Sequence, residues 1–321
     1  MPRPRLVIVT PALAAANNGN WQTAQRWARF LRDDFDVRLT PSWDQGDEAL
    51  MIALHARRSA DSIAAWRHRH PRRPLIVVLT GTDLYRDIAV DAAAQRCLQL
   101  AYRLLVLQPL GRAMLGAELR RRTASCIQSA PPRPTLRKTP RHLRAVMVGH
   151  LREEKDPRAL FAAARLLRPR DDILIDHVGG PLDAALAAEA QQTARDCPHY
   201  RWLGALPHAA TRRRIQQAHV LVHASRIEGG AHVVIEAVAS GTPVLASRID
   251  GNLGMLGDDW PALFEAGDAA GLAAALERLR DDPAMLADLT ARALARAPLF
   301  DPARERERVL GLVAQLLETR P

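Results

Sequence analysis

Cysteine is scarce in this chain: its 321 residues hold three, Cys97, Cys126 and Cys197, with no Cys-x-x-Cys spacing. An odd number without that spacing argues against a disulfide framework or a cysteine-rich zinc site, and a reducing, cytoplasmic setting fits best. Aromatic residues amount to 4%, and of the 45 basic side chains only Lys138 and Lys155 are lysines, which reads as genome composition. No run of 18 apolar residues occurs, so no transmembrane helix is expected. Also missing are a Walker A loop, Gly-x-Gly-x-x-Gly, Gly-x-Ser-x-Gly and His-Glu-x-x-His. Their absence weakens NTPase, dehydrogenase, serine hydrolase and zinc protease readings. The eleven histidines show no metal-ligand spacing, and neither a metal nor another cofactor is expected.

What is present has globular proportions. Hydrophobic residues make up 48% and charged residues 25%, which excludes disorder, collagen and coiled coil as descriptions of the whole. At about 150 residues per domain, the length predicts two domains, each able to bury its own core. A net charge of +10 admits an anionic partner: nucleic acid, a membrane surface or a phosphorylated small molecule. The densest arginine runs, Arg120-Arg121-Arg122 and Arg212-Arg213-Arg214, carry no interleaved aromatics and read as solvated helix faces. Near the start, Arg3 and Arg5 precede Leu6–Val9 and then Ala14-Ala15-Ala16, superficially a signal peptide. Thr10-Pro11 interrupts that apolar run early, so a first buried strand is the simpler reading.

Short apolar runs recur at Leu6–Val9, Leu50–Leu54, Leu75–Leu79, Leu104–Leu107, Ala145–Val148, Ile173–Val178, Val220–His223 and Val244–Ala246, with helical patterns between them. Strands separated by helices predict βαβ units, and runs that are apolar throughout predict sheets covered on both faces. The fold class is therefore α/β with parallel sheets. Between Pro131 and Arg141 lie four prolines and no apolar periodicity, the mark of a linker. The expected boundaries are an N-terminal domain over 1–132, a linker over 133–142 and a C-terminal domain over 143–301. A terminal helix is expected over 302–319, with Val309, Leu312, Val313, Leu316 and Leu317 on one stripe.

The most informative stretch runs from Ser225 to Ser247. A strand ends near Ala224, a turn holding Glu228, Gly229 and Gly230 follows, and a helix runs from about Ala231 to a stop at Gly241. Helix N-termini expose unpaired N–H groups, so Gly229, Gly230 and Ala231 are expected to approach a diphosphate. Carboxylates beside an anion site would repel phosphate, so Glu228 and Glu236 are expected to accept hydrogen bonds from sugar and ribose hydroxyls. Alone, the pattern equally allows a surface turn and a solvated helix residue.

Two glutamates separated by seven residues, after a strand and before Ala-x-x-x-Gly-x-Pro-Val, resemble the signature of the family-4 glycosyltransferases. The resemblance implies the GT-B fold: two Rossmann-like domains facing a cleft, with the C-terminal helix crossing back to the N-terminal domain. It also implies that Glu236 holds the ribose and Glu228 faces the donor sugar. Val148-Gly149-His150-Leu151-Arg152, followed by Lys155-Asp156, is similar to a second family motif, which places Lys155 at the diphosphate. A departing diphosphate gains charge as the glycosidic bond breaks, and a fixed cation stabilises it. His150 stands where the family has an arginine, a departure for which Arg152 is a candidate substitute. Asp34-Phe35-Asp36 formally matches the metal motif of GT-A glycosyltransferases, but at a helix end before an early strand it reads as a turn.

Ligands of open α/β folds bind at loops after strands. The N-terminal half offers three: Asn17 to Thr23, His55 to Ser59 and Thr80 to Asp87. The first, through Gly19, resembles the glycine loop of family-4 enzymes. Together with the Glu228 stretch and Asp250 to Gly257, these loops resemble more narrowly the SenB-type selenosugar synthases of selenoneine biosynthesis. That resemblance implies a UDP-sugar donor, UDP-GlcNAc or UDP-glucose, and selenophosphate as acceptor, with coupling to a selenophosphate synthetase and a downstream selenoneine-forming enzyme. A small trianion needs cations, which Arg57, Arg58 and Arg86 would supply. Asn18, Asn20, Thr23 and Thr82 would complete its pocket, and His55 or Asp83 would orient it. The rival readings are a family-4 hexosyltransferase with a sugar or small-molecule acceptor, a UDP-GlcNAc 2-epimerase, and a basic nucleic-acid-binding protein. Neither nucleic acid nor membrane is expected as partner.

Overall fold

The computed structural model describes residues 3–11 and 19–319. The chain divides into two compact units, Met1–Gln128 with Glu228–Gly230 and Pro302–Pro321, and Ser129–Ile227 with Ala231–Asp301. The proline-rich segment that begins at Pro131 therefore belongs to the second unit, where Arg133 N donates to Ala239 O at 2.8 Å.

The first unit holds six parallel strands: β1 (Arg5–Val9), β2 (Asp36–Thr40), β3 (Leu50–Leu54), β4 (Leu75–Leu79), β5 (Arg103–Val106) and β6 (Thr123–Ser125). Their order is β2-β1-β3-β4-β5-β6. Alternation along each strand divides the side chains between two cores, as a period of two requires. Val7, Val9, Met51, Ala53, Val77 and Leu79 pack with Trp66 and Leu98 on one face. Leu6, Ile8, Leu50, Ile52, Ile76 and Val78 pack with Trp27 and Leu31 on the other. The helix Pro302–Glu318 covers this second face through Val309, Val313 and Leu316. Its buried Glu305 accepts from Arg26 Nε at 2.8 Å, Arg26 Nη2 at 3.1 Å and Trp27 Nε1 at 2.6 Å. That forked pair fixes the register of the terminal helix. Arg306 lies 3.7 Å from Asp34, in the turn that follows the helix Gly19–Leu31.

The second unit holds β7 (Leu143–Val148), β8 (Ile173–Val178), β9 (Tyr200–Trp202), β10 (Val220–His223), β11 (Val244–Ser247) and β12 (Leu263–Phe264), in the order β12-β11-β10-β7-β8-β9, again all parallel. The eight apolar runs of the sequence are the eight central strands. The other four, β2, β6, β9 and β12, are the sheet ends. These are two to five residues long and only partly covered, so they lack a continuous apolar run.

Within the second unit His177 is wholly buried, its Nδ1 3.0 Å from the Tyr200 hydroxyl. Burial pushes its imidazole from the ordinary 6.5 down to about 4. Between these values the unfolded chain takes up a proton that the folded chain refuses, so this contribution to stability is complete above 6.5 and lost as pH falls toward 4. At 1.36 kcal/mol per pH unit, lowering pH from 7.5 to 4.5 is expected to cost about 2–3 kcal/mol through this residue. Urea unfolding of His177→Gln should show a pH dependence weaker by that amount. An unchanged dependence would show that His177 is not the responsible group.

Candidate active site

In each sheet the order in which successive strands are added reverses once. In the second sheet β7 has β8 on one side and β10 on the other, the switch point at whose carboxyl end ligands bind in open α/β folds. The loops leaving β7 and β10 carry Lys155 and Glu228. Two hydrogen bonds join them: Arg226 N donates to Glu154 O at 2.9 Å, and Arg226 Nε donates to Asp156 Oδ2 at 3.0 Å. Asp156 closes the first loop at φ 48°, a left-handed conformation that Asp tolerates better than most residues, immediately before the helix Pro157–Leu166. The Lys155 stem lies over Gly149, where a Cβ would stand 3.3 Å from its Cγ.

His150 Nδ1 accepts from Gly180 N at 2.9 Å, which leaves the ring proton on Nε2. Burial, then Arg152 and Lys155, lower its pKa below the ordinary value. The imidazole is therefore a neutral donor and no substitute for a permanent positive charge. Arg152 is exposed at the start of the turn Glu153–Lys155, two positions after His150.

Glu236 lies in the helix His232–Val238 with only 4% of its surface exposed. His208 Nε2 donates to its Oε1 at 2.6 Å, while His232 Nε2 and Arg212 Nε stand 3.7 and 3.9 Å away. Burial alone would raise its pKa; the His208 hydrogen bond and the His232 and Arg212 charges outweigh that and hold it below the usual carboxylate value. Arg212 is 3% exposed and donates through Nη2 to Pro131 O at 2.9 Å. The expectation of a solvated face fails for Arg212, which is buried while its neighbour Arg213 is exposed. Neither His208 nor Arg212 has a sequence spacing to Glu236 that would have marked it.

Glu228, Gly229 and Gly230 are counted with the first unit, Ala231 and Glu236 with the second. A Cβ on Gly229 would stand 2.4 Å from Thr80 O, and one on Gly230 would stand 2.8 Å from Leu107 Cβ. The two glycines were expected for close approach to a diphosphate. Close packing against Thr80 and Leu107 already accounts for the absence of their side chains.

In the first unit, His55 follows β3 at φ 69° and is buried. Its Nδ1 faces Arg58 N at 3.4 Å, so Nε2 carries the proton and donates to Thr82 Oγ1 at 3.1 Å. Burial lowers its pKa, with Asp83 opposing and Arg58 adding to the effect. Asp83, fully buried, accepts from Ala56 N at 3.0 Å, Thr80 N at 2.8 Å and Gly81 N at 2.9 Å. Its carboxylate ties the loop after β3 to the loop after β4. Arg57 pairs with Asp91 at 3.0 Å and Arg86 with buried Asp87 at 3.1 Å, so neither is an uncompensated cation. Thr23 is buried and donates to Gly19 O at 2.8 Å inside its own helix, which leaves it no exposed hydroxyl for an acceptor. Gly19 is exposed and Asn20 half-buried in the first turn of that helix; Asn18 lies outside the described residues.

Residues 133–296 match the family model of the glycosyl transferases group 1, about half of the chain, and the protein belongs to that family. It is similar to the D-inositol 3-phosphate glycosyltransferase 1 of Catenulispora acidiphila, with 31% identity over 188 residues, 54% of this chain and 44% of that one. The D-inositol 3-phosphate glycosyltransferase of Corynebacterium diphtheriae is 30% identical over 180 residues, 53% of this chain and 42% of that one. The match thus spans less than half the length of either relative. Among solved structures, Anabaena HepE in complex with UDP and glucose has a TM-score of 0.78 at 14% identity, covering 97% of this chain and 99% of HepE. The sucrose-phosphate synthase of Thermosynechococcus elongatus has a TM-score of 0.78 at 18% identity, covering 98% and 99%. At these identities the likeness is one of fold, the GT-B type with two parallel six-stranded sheets.

Asp83→Ala would leave three backbone N–H groups without their acceptor. At about 1–3 kcal/mol for a buried unsatisfied group, urea unfolding should register a loss of at least about 2 kcal/mol. A variant as stable as the wild type would return Asp83 to the candidates for substrate contact.

Proposed function

We propose that this protein is a glycosyltransferase that takes a UDP-sugar, UDP-GlcNAc or UDP-glucose, and passes its glycosyl group to selenophosphate. The transferase reading rests on one observation: a cationic loop and a carboxylate-bearing loop are tied together at the switch point of the second sheet. The selenium reading rests on the resemblance of the N-terminal loops and the Glu228 stretch to the selenosugar synthases. Glu236 accepts from the ribose hydroxyls, and Glu228 faces the sugar. Lys155, with Arg152 beside it, faces the diphosphate. As the bond from anomeric carbon to diphosphate oxygen breaks, its electron pair leaves with UDP, and a fixed ammonium stabilises the added charge. Selenium supplies the pair for the new carbon–selenium bond. A nucleophile already anionic needs no strong base, a requirement that His55, as a neutral Nε2–H donor, meets by hydrogen bonding alone. No metal or cofactor enters this scheme, and the natural couplings are to a selenophosphate synthetase and to a downstream selenoneine-forming enzyme.

A second reading, a hexosyltransferase acting on a sugar or small-molecule acceptor, is favoured by the ion pairs of the first unit. Arg57 and Arg86 face Asp91 and Asp87, a balanced surface that suits a neutral polyhydroxyl compound better than a trianion.

The deciding experiment measures UDP release from UDP-GlcNAc by purified protein with selenophosphate, with simple sugars and with neither, followed by mass spectrometry. The expected outcome is release only with selenophosphate and a product bearing the selenium isotope pattern. Release only with sugars would establish the second reading in its place. Release with no acceptor at all would point to hydrolysis or epimerisation.

A further inference from the structure

The carboxylate of Glu236 is nearly buried yet accepts a single side-chain hydrogen bond among the described residues, from His208. A carboxylate offers about four lone-pair sites, and one withdrawn from water normally fills most of them. The other two nitrogens close by, on His232 and Arg212, lie 3.7 and 3.9 Å from Oε1, beyond hydrogen-bonding distance. Arg212 Nε, itself buried, has no hydrogen-bond partner among the described residues. All three nitrogens thus gather on the Oε1 side. His208 stands in the first turn of the helix His208–Gln217, and its side chain is 49% exposed against 5% for Glu236. It therefore lies between the carboxylate and solvent. A residue serving only to neutralise Glu236 would gain by being buried with it, since exposed ion pairs contribute little to stability.

We infer that His208 is a positioning residue of the donor site: its Nε2–H holds Oε1 so that Oε2 and the remaining lone pairs of Glu236 meet the two ribose hydroxyls of the nucleotide. The inference rests on the assignment of Glu236 to the ribose. It names a residue that touches the glutamate and leaves the reacting atoms to others.

Calorimetric titration with UDP and with 2′,3′-dideoxy-UDP tests this on wild type, His208→Ala and His208→Gln. His208→Ala is expected to weaken UDP binding about tenfold, the scale of one hydrogen bond to a charged group. His208→Gln, which keeps an N–H near the same place, should recover most of the loss. Binding of dideoxy-UDP should be equal in all three proteins, because it has no hydroxyls for Glu236 to receive. In turnover assays the donor KM should rise by the same factor, with kcat at saturating donor within about twofold of wild type. Equal UDP affinity in wild type and His208→Ala would overturn the inference while leaving Glu236 in place. So would the same loss for both nucleotides, which marks a structural role. Wild type binding UDP no better than dideoxy-UDP would instead remove the ribose from Glu236, and the inference with it.

Discussion

The candidate donor site depends on Arg226. Its backbone N–H and its guanidinium hold the loop after β10 against the loop after β7, at Glu154 and Asp156. The two loops leave adjacent, paired strands, and this tie joins them beyond the strand ends. Asp156 has the larger burden. It adopts a left-handed conformation that costs roughly 1–2 kcal/mol for an L-residue, accepts from Arg226, and starts the helix that follows. Lys155, immediately before it, cannot adjust independently, and its stem lies over Gly149. A fixed cation is what the proposed stabilisation of a developing diphosphate charge would require.

The basic surplus is less concentrated than a charge of +10 implies. Arg170 is shared between Asp172 and Asp281, Arg158 between Glu153 and Glu189, and Asp176 draws in Arg144 and Arg201. Arginines in such pairs are each balanced by a carboxylate and are not part of an unbroken basic stripe. The same holds around His55, where the cations expected for an acceptor face carboxylates.

How far the sequence could be read follows from what each part must bury. Central strands such as β3 and β4 are wholly buried, so continuous apolar runs betray them. End strands such as β2 and β9 are partly exposed and carry no such signature. The same logic divides the site. Glu228, Glu236 and Lys155 stand out because glycine turns and strand ends surround them. His208 and Arg212 lie in an ordinary amphipathic helix, and their relation to Glu236 exists only once β10 and the helix His232–Val238 have folded beside it. Arg212 was legible only as a member of an arginine run, and burial of one member in three is a tertiary fact.

His55 and Asp83 show how one local pattern hides two different roles. Both follow a strand and precede a helix-like turn, so both are candidates for capping or for chemistry. In the structure Asp83 caps no helix; its oxygens accept three backbone N–H groups from two loops. His55 has the strained backbone, at φ 69°, and a ring oriented by Arg58 N and Thr82. Strain in a non-glycine residue persists only when its surroundings over-determine it, and Asp83 is the group that does so, by gripping Ala56 directly after the histidine. The carboxylate thus supports the imidazole through the backbone. Their side chains remain 4.0 Å apart, with no hydrogen bond between them to transmit a proton.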